Sequence, residues 1–310
     1  MIGDGKGRTA LVLGASRGIG RGVARHLGRA GYHVAISSRS ATRSDIVLEE
    51  GSDVLPSGTL EETAAEIEAL GGKAVVLPCD LTDDRQIETM VPTAARALGR
   101  IDVLVNCSQF GGGIDGRFWE KDMAFYDAQM GAGPRAAYAV SRLVVPIMLA
   151  QGTGLIVNIS ATGSLVDLYS VPYRMGRSAL DRLTQALAED LPDTGIHAVT
   201  IWPAMIRTER VEGAARGAAT GIPSLETYDL DAHANSPDAV GIGVAHLAAD
   251  PQVGRLSGRG FGLGELARLY GFHDLDGRPI DNPLSLTRLD VGDGRVVAPH
   301  LDRRGLLKSE

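Results

Sequence analysis

Tyr173 and Arg177 stand four residues apart, and Ser160 lies thirteen residues before the tyrosine. A serine together with a tyrosine four residues ahead of a cation makes a site that reduces carbonyls or oxidises alcohols. Such chemistry needs a hydride carrier. The stretch Gly14-Ala15-Ser16-Arg17-Gly18-Ile19-Gly20 offers a place for one, because its glycines follow an apolar strand-like run and open a helical pattern. Gly14 allows a tight exit from the strand, while Gly18 and Gly20 let the backbone approach a pyrophosphate and let the helix pack closely on the sheet. The amides and dipole at the start of that helix favour phosphate.

The elements needed to position these groups alternate along the chain. Strands are expected at Ala10–Leu13, His33–Ser37, Ala74–Pro78, Val103–Val105, Leu155–Ile159, His197–Ile201 and Gly260–Leu263. Most are continuously apolar, as strands covered on both faces are. Helical patterns lie between them, among them Arg21–Ala30, Glu61–Leu70 with Ala64, Ile67 and Leu70 on one side, and Ala179–Leu191. This order predicts an α/β fold: a single Rossmann-type doubly wound parallel sheet of about seven strands, flanked by helices. The 310 residues form one domain in this reading, with a core over 8–263, a lid over 205–235 and a C-terminal extension over 264–310. Ser40–Thr59 is an insert. Asp274–Asp281 superficially resembles a calcium loop but lacks the glutamate and the oxygen spacing, so a turn is expected there.

The second strand ends at Ser37-Ser38-Arg39, with no acidic residue to accept the 2′-hydroxyl of an NAD ribose. Arg17 and Arg39 instead offer two guanidinium groups where a 2′-phosphate would sit. The expected cofactor is therefore NADP(H); the competing reading leaves Arg39 facing solvent at the head of the insert.

Composition removes several function classes. A net charge of −7 argues against nucleic acid as the main partner. Cys79 and Cys107 are the only cysteines, and they are expected as buried free thiols in a reducing compartment. The opening Met-Ile-Gly-Asp-Gly-Lys has no apolar stretch of signal-peptide length, and no segment suits a membrane anchor, so a cytoplasmic location is expected. The seven histidines show no metal-ligand spacing, and no metal is expected.

Together, the glycine loop, Ser160 and the Tyr173-x-x-x-Arg177 pair resemble the short-chain dehydrogenase/reductase family, whose signature is Tyr-x-x-x-Lys. The resemblance implies that Tyr173 donates a proton to the carbonyl oxygen, Ser160 orients that oxygen, and the residue at 177 holds the nicotinamide ribose. It also implies cofactor contacts from Ser16, Ile19, Asp80 and Leu81 after the third strand, Asn106 after the fourth, and Pro203 and Thr208 after the sixth. The chain departs from the family at two catalytic positions. Arg177 replaces the lysine, and Gly133 stands where a relay asparagine belongs. An arginine keeps the charge but does not exchange a proton near neutral pH. Four lysines against 27 arginines explain arginines on the surface, but not one at an active site.

Segments from Phe118-Trp-Glu120 and Val171-Pro-Tyr173 to Leu266-Ala-Arg-Leu-Tyr-Gly271 and Asp276-Gly-Arg-Pro279 resemble the dehydrogenase/reductase family member one branch, which also carries the glycine. That branch implies an NADPH-dependent reductase or dehydrogenase acting on a fairly apolar ketone or secondary alcohol. The family implies a homodimer or homotetramer through helices near 117–150 and 173–191. Two other classes remain open at this point: a non-redox isomerase, dehydratase or cyclase on the same scaffold, and a non-catalytic NADP(H)-binding protein.

Overall fold

The computed structural model describes residues 5–45, 57–111, 117–161, 169–215 and 230–280. Its centre is a seven-stranded parallel sheet in the order β3-β2-β1-β4-β5-β6-β7. The strands are β1 (Thr9–Leu13), β2 (His33–Ser38), β3 (Lys73–Pro78), β4 (Val103–Asn106), β5 (Gly154–Ile159), β6 (Ile196–Trp202) and β7 (Arg259–Gly262). Each expected strand is present, displaced at its ends by a residue or so. At the last of them, Leu263 leaves the sheet and opens a helix, because Glu265 Oε2 accepts the Gly262 N–H at 2.8 Å and starts the turn.

The helices are α1 (Gly18–Arg29), α2 (Leu60–Ala69), α3 (Asp84–Leu98), α4 (Met123–Met130), α5 (Ala136–Gln151), α6 (Val171–Asp190), α7 (Glu209–Ala215), α8 (Leu230–His233), α9 (Pro237–Ala249) and α10 (Leu263–Tyr270). β1 shows why a run such as Ala10–Leu13 is apolar. Ala10 and Val12 pack into one layer with Val23, Leu27 and Val244, while Leu11 and Leu13 point into the other with Ile87, Val91 and Val144. Both faces are covered, so these four positions are apolar, and the buried Thr9 at the strand's start is accommodated because its hydroxyl donates to the Arg100 carbonyl at 2.7 Å.

The periodicity of α2 is read differently by the structure. Leu60, Thr63 and Ile67 are buried, whereas Leu70 is 42% exposed at the helix C-cap. Thr63 belongs on the inner face because its hydroxyl donates to the Ala15 carbonyl at 2.9 Å, fastening α2 to the glycine loop. Thr59 ends the insert and caps α2: its Oγ1 accepts the Glu62 N–H, and Glu62 Oε2 accepts the Thr59 N–H, each at 3.1 Å. Residues 46–56 of the insert and 281–310 of the tail lie outside the described residues. The described part of the tail bears out a turn. Asp274 N–H donates to the Arg278 carbonyl at 3.0 Å, and the Asp274 carboxylate accepts the Ser236 N–H at 2.7 Å, tying the tail to the start of α9.

A buried polar pair joins α1 to α9, where His26 Nε2 lies 3.0 Å from Asp238 Oδ1, with Arg25 at 3.5 Å. Burial pushes the Asp238 carboxyl up, but the His26 hydrogen bond and the Arg25 charge more than offset this and hold it below its ordinary value. The ionised form is thus the stabilising one. Its contribution is complete above the unfolded carboxylate range and is lost as pH falls through the lowered folded value. Wild type should melt about 2 °C or more above Asp238→Asn at neutral pH, and the gap should shrink on acidification. A gap independent of pH would count against this.

Candidate active site

The strand order reverses between β1 and β4, and there the C-terminal edge of the sheet opens into a cavity of about 1080 Å³. Ligands of open α/β sheets bind at such a point. The volume is slightly above that of ordinary ligand pockets, about 300–1,000 Å³.

At one end is the glycine loop. Gly14 and Ala15 donate their N–H groups to the Ser37 carbonyl, at 2.8 and 3.2 Å. A Cβ on Gly20 would lie 2.2 Å from the Gly14 carbonyl oxygen, so no larger residue closes this turn. Ser16, Arg17, Gly18 and Ile19 line the cavity beside it. Arg17 donates to Ser40 Oγ at 3.3 Å through one guanidinium nitrogen, while its other terminal nitrogen is buried without a hydrogen-bond partner. Burial lowers the Arg17 pKa, and Arg39 lowers it further; Glu209 acts in the opposite sense. Arg39 is exposed but lines the same cavity.

Asp80 and Leu81 form the wall beyond β3, where Asp80 Oδ1 accepts the N–H and hydroxyl of Thr82 at 2.9 and 2.7 Å. Asn106 does not line the cavity. Its Nδ2 donates to Asn158 Oδ1 at 2.7 Å, and the chain continues through Thr184 to Thr200. The side chain therefore helps to lock β4, β5, β6 and α6 together beneath the site. Cys79 is buried, as expected, but Cys107 is only partly buried on the cavity wall. Burial pushes the Cys79 thiol up to about 11 and the Cys107 thiol up to about 12. Neither is a thiolate at neutral pH.

At the other end, Ser160 at the tip of β5 meets Tyr173 and Arg177 from α6, and all three line the cavity. Ser160 Oγ donates to the Arg177 carbonyl at 3.1 Å. The Arg177 guanidinium is centred 5.0 Å from the centroid of the Tyr173 ring, and its Nη1 donates to the Ile159 carbonyl at 3.0 Å. Its Nε is buried without a hydrogen-bond partner. A cation held over an aromatic face is attracted to it, and here it also fixes the ring. Pro203 and Thr208 line the cavity after β6.

Some wall residues gave no signal in the sequence. Tyr169 packs edge-on against Tyr173 at 5.1 Å with φ of 65°, a left-handed conformation costly for a bulky residue. Phe110 also faces the cavity, and Met205, Ile206, Arg210 and Val211 face it from the start of the expected lid. Gly133 lies in a π-helical turn, Gly131–Arg135, between α4 and α5. Pro134 within it has no N–H to donate one turn back, which disrupts the helical ladder there. A Cβ on Gly133 would meet Gln109 Oε1 at 3.4 Å, so the Gln109 amide borders the place where a side chain at 133 would project.

Of the expected lid, 216–229 lie outside the described residues. Its two ends are fastened to each other: Asn235 N–H donates to the Met205 carbonyl at 2.9 Å, and Arg207 N–H to the Asn235 carbonyl at 2.8 Å. Among the described residues there is no group of side chains that could hold a metal, and no helix is long and apolar enough to cross a membrane.

The short chain dehydrogenase family model matches residues 8–218, and the chain belongs to this family of oxidoreductases. It is similar over almost its whole length to dehydrogenase/reductase SDR family member 1 of Mus musculus. The two are 35% identical over 294 residues, which cover 92% of this chain and 89% of the mouse protein. Among solved structures it resembles a short chain dehydrogenase from Mycobacterium thermoresistibile, with a TM-score of 0.71 and 23% identity, covering 90% of this chain and 92% of that one. It also resembles a 7α-hydroxysteroid dehydrogenase complexed with NADH and 7-oxo glycochenodeoxycholic acid, with a TM-score of 0.69 and 23% identity, covering 83% and 92%. The two structural likenesses speak to the fold.

Proposed function

We propose that the protein is an NADPH-dependent reductase, or in reverse a dehydrogenase, acting on a fairly apolar ketone or secondary alcohol. The observation that carries this is the meeting of Ser160, Tyr173 and Arg177 in one wall of a cavity whose other end is the glycine loop. Reduced nicotinamide, when bound, supplies hydride. Ser160 orients the carbonyl oxygen once its hydroxyl turns from the Arg177 carbonyl to the substrate, and Tyr173 gives that oxygen a proton from the phenolic hydroxyl. Arg177 keeps a positive charge beside the ring as the phenol loses that proton, and its guanidinium can fork hydrogen bonds onto a ribose diol. The wall formed by Phe110, Met205, Ile206 and Val211 is apolar and suits an apolar substrate. Asn106 acts as a positioning residue in this account. Tyr138 and Leu149 on α5 and Met175 on α6 are exposed apolar side chains, which supports assembly through those helices. The free cysteines support a reducing, cytoplasmic setting.

Cofactor choice follows from Arg17 and Arg39. Two guanidinium groups near each other, one with a buried nitrogen lacking a hydrogen-bond partner, suit the 2′-phosphate of NADPH. NADPH is expected to bind at least about tenfold more tightly than NADH, a difference of ~1.4 kcal/mol, and Arg39→Ala should narrow the gap. Calorimetric titration with each nucleotide measures this. Equal dissociation constants would reject the preference.

A further inference from the structure

Helix α1 begins without the features that usually finish a helix start. Its N-cap residue, Arg17, makes no side-chain capping bond, and its first turn contains no acid. The anionic group at this end comes instead from 191 positions along the chain: the Gly18 N–H donates to Glu209 Oε1 at 3.5 Å. The contact is long, but a second measure agrees with it. A Cβ on Gly18 would lie 3.8 Å from Glu209 Oε2 and 3.3 Å from Thr208 Cγ2, so the start of α7 rests directly on the glycine loop. The same carboxylate acts on two neighbouring guanidiniums: it opposes the lowering of Arg17, and it adds a smaller contribution to the rise at Arg21 that the Glu66 hydrogen bond mainly causes. The amides that open the helix and the helix dipole attract an anion to this place, and a carboxylate answers that demand as a phosphate would.

We propose that Glu209 is a latch: without cofactor its carboxylate occupies the anion site at the start of α1, and the cofactor pyrophosphate must displace it. This rests on the reading above, in which the glycine loop holds the pyrophosphate. The two anions compete for one amide and repel each other, so Glu209 lowers cofactor affinity. Displacement also moves the start of α7. The next residue, Arg210, packs against Gly111 on the opposite wall, where a Cβ would fall 2.0 Å from its Cζ. Arrival of the cofactor therefore shifts a strap that bridges the cavity.

The test is titration of full-length wild type, Glu209→Gln and Glu209→Ala with NADPH and, separately, with inorganic pyrophosphate. Both variants should bind NADPH about three- to tenfold more tightly than wild type, and pyrophosphate should follow the same order. The rise in Tm produced by a fixed NADPH concentration should be larger in the variants, which also verifies that they are folded. Wild type that binds NADPH while the variants bind it no better, or worse, overturns the latch alone. Wild type that binds no dinucleotide overturns the underlying reading as well.

Discussion

Tyr173→Phe is expected to cut turnover by about 10²–10⁴-fold while leaving NADPH affinity within about twofold of wild type. The substitution removes one oxygen and little else. The ring keeps its edge contact with Tyr169 at 5.1 Å and remains under the Arg177 guanidinium at 5.0 Å. Loss of the proton donor therefore falls on kcat rather than on cofactor binding. Steady-state kinetics paired with NADPH titration separates the two. Turnover at the wild-type level would remove Tyr173 from the chemistry.

The second large effect is expected at Arg177. The side chain is 5% exposed, so charge and packing must be separated by choice of variant. Arg177→Met keeps most of the volume and loses the cation; turnover should fall about a hundredfold, because the Tyr173 ring loses the group that fixes it. A displacement of ~1 Å at a reacting group costs about that much. Arg177→Lys restores a charge that can donate to the Ile159 carbonyl and lie above the ring, and it should retain or raise activity. A melting curve for each variant shows whether fold or chemistry was lost. Equal activity in the Met and Lys variants would show that the charge has no role.

Much of this arrangement was legible in the chain. The strands were readable because a sheet covered on both faces is mostly apolar along each strand, as Leu11 and Val12 show by pointing to opposite cores. The glycine loop was readable because Gly20 lies too close to the Gly14 carbonyl for any side chain. Local patterning misled at Leu70, where the end of α2 turns the residue outward and Thr63 takes the inner face to reach Ala15. The cofactor contact expected of Asn106 came from the family resemblance; its side-chain Nδ2 donates to Asn158 under the sheet. Periodicity carries no information about partners far apart in the chain, so the seating of Glu209 on Gly18 and the left-handed Tyr169 were beyond it.

Hydride transfer from NADPH to a carbonyl, with Tyr173 supplying the proton, can be read from isotopic label. The direct measurement uses NADPH deuterated at the nicotinamide C4 position, each face in turn, incubated with the wild-type protein and a panel of apolar ketones. Mass spectrometry of the alcohols then reads the label. One deuterium is expected on the carbinol carbon of at least one product, from one face of the nicotinamide only, and none with Tyr173→Phe. Bound NADPH with no deuterium in any product, from either face, would contradict it.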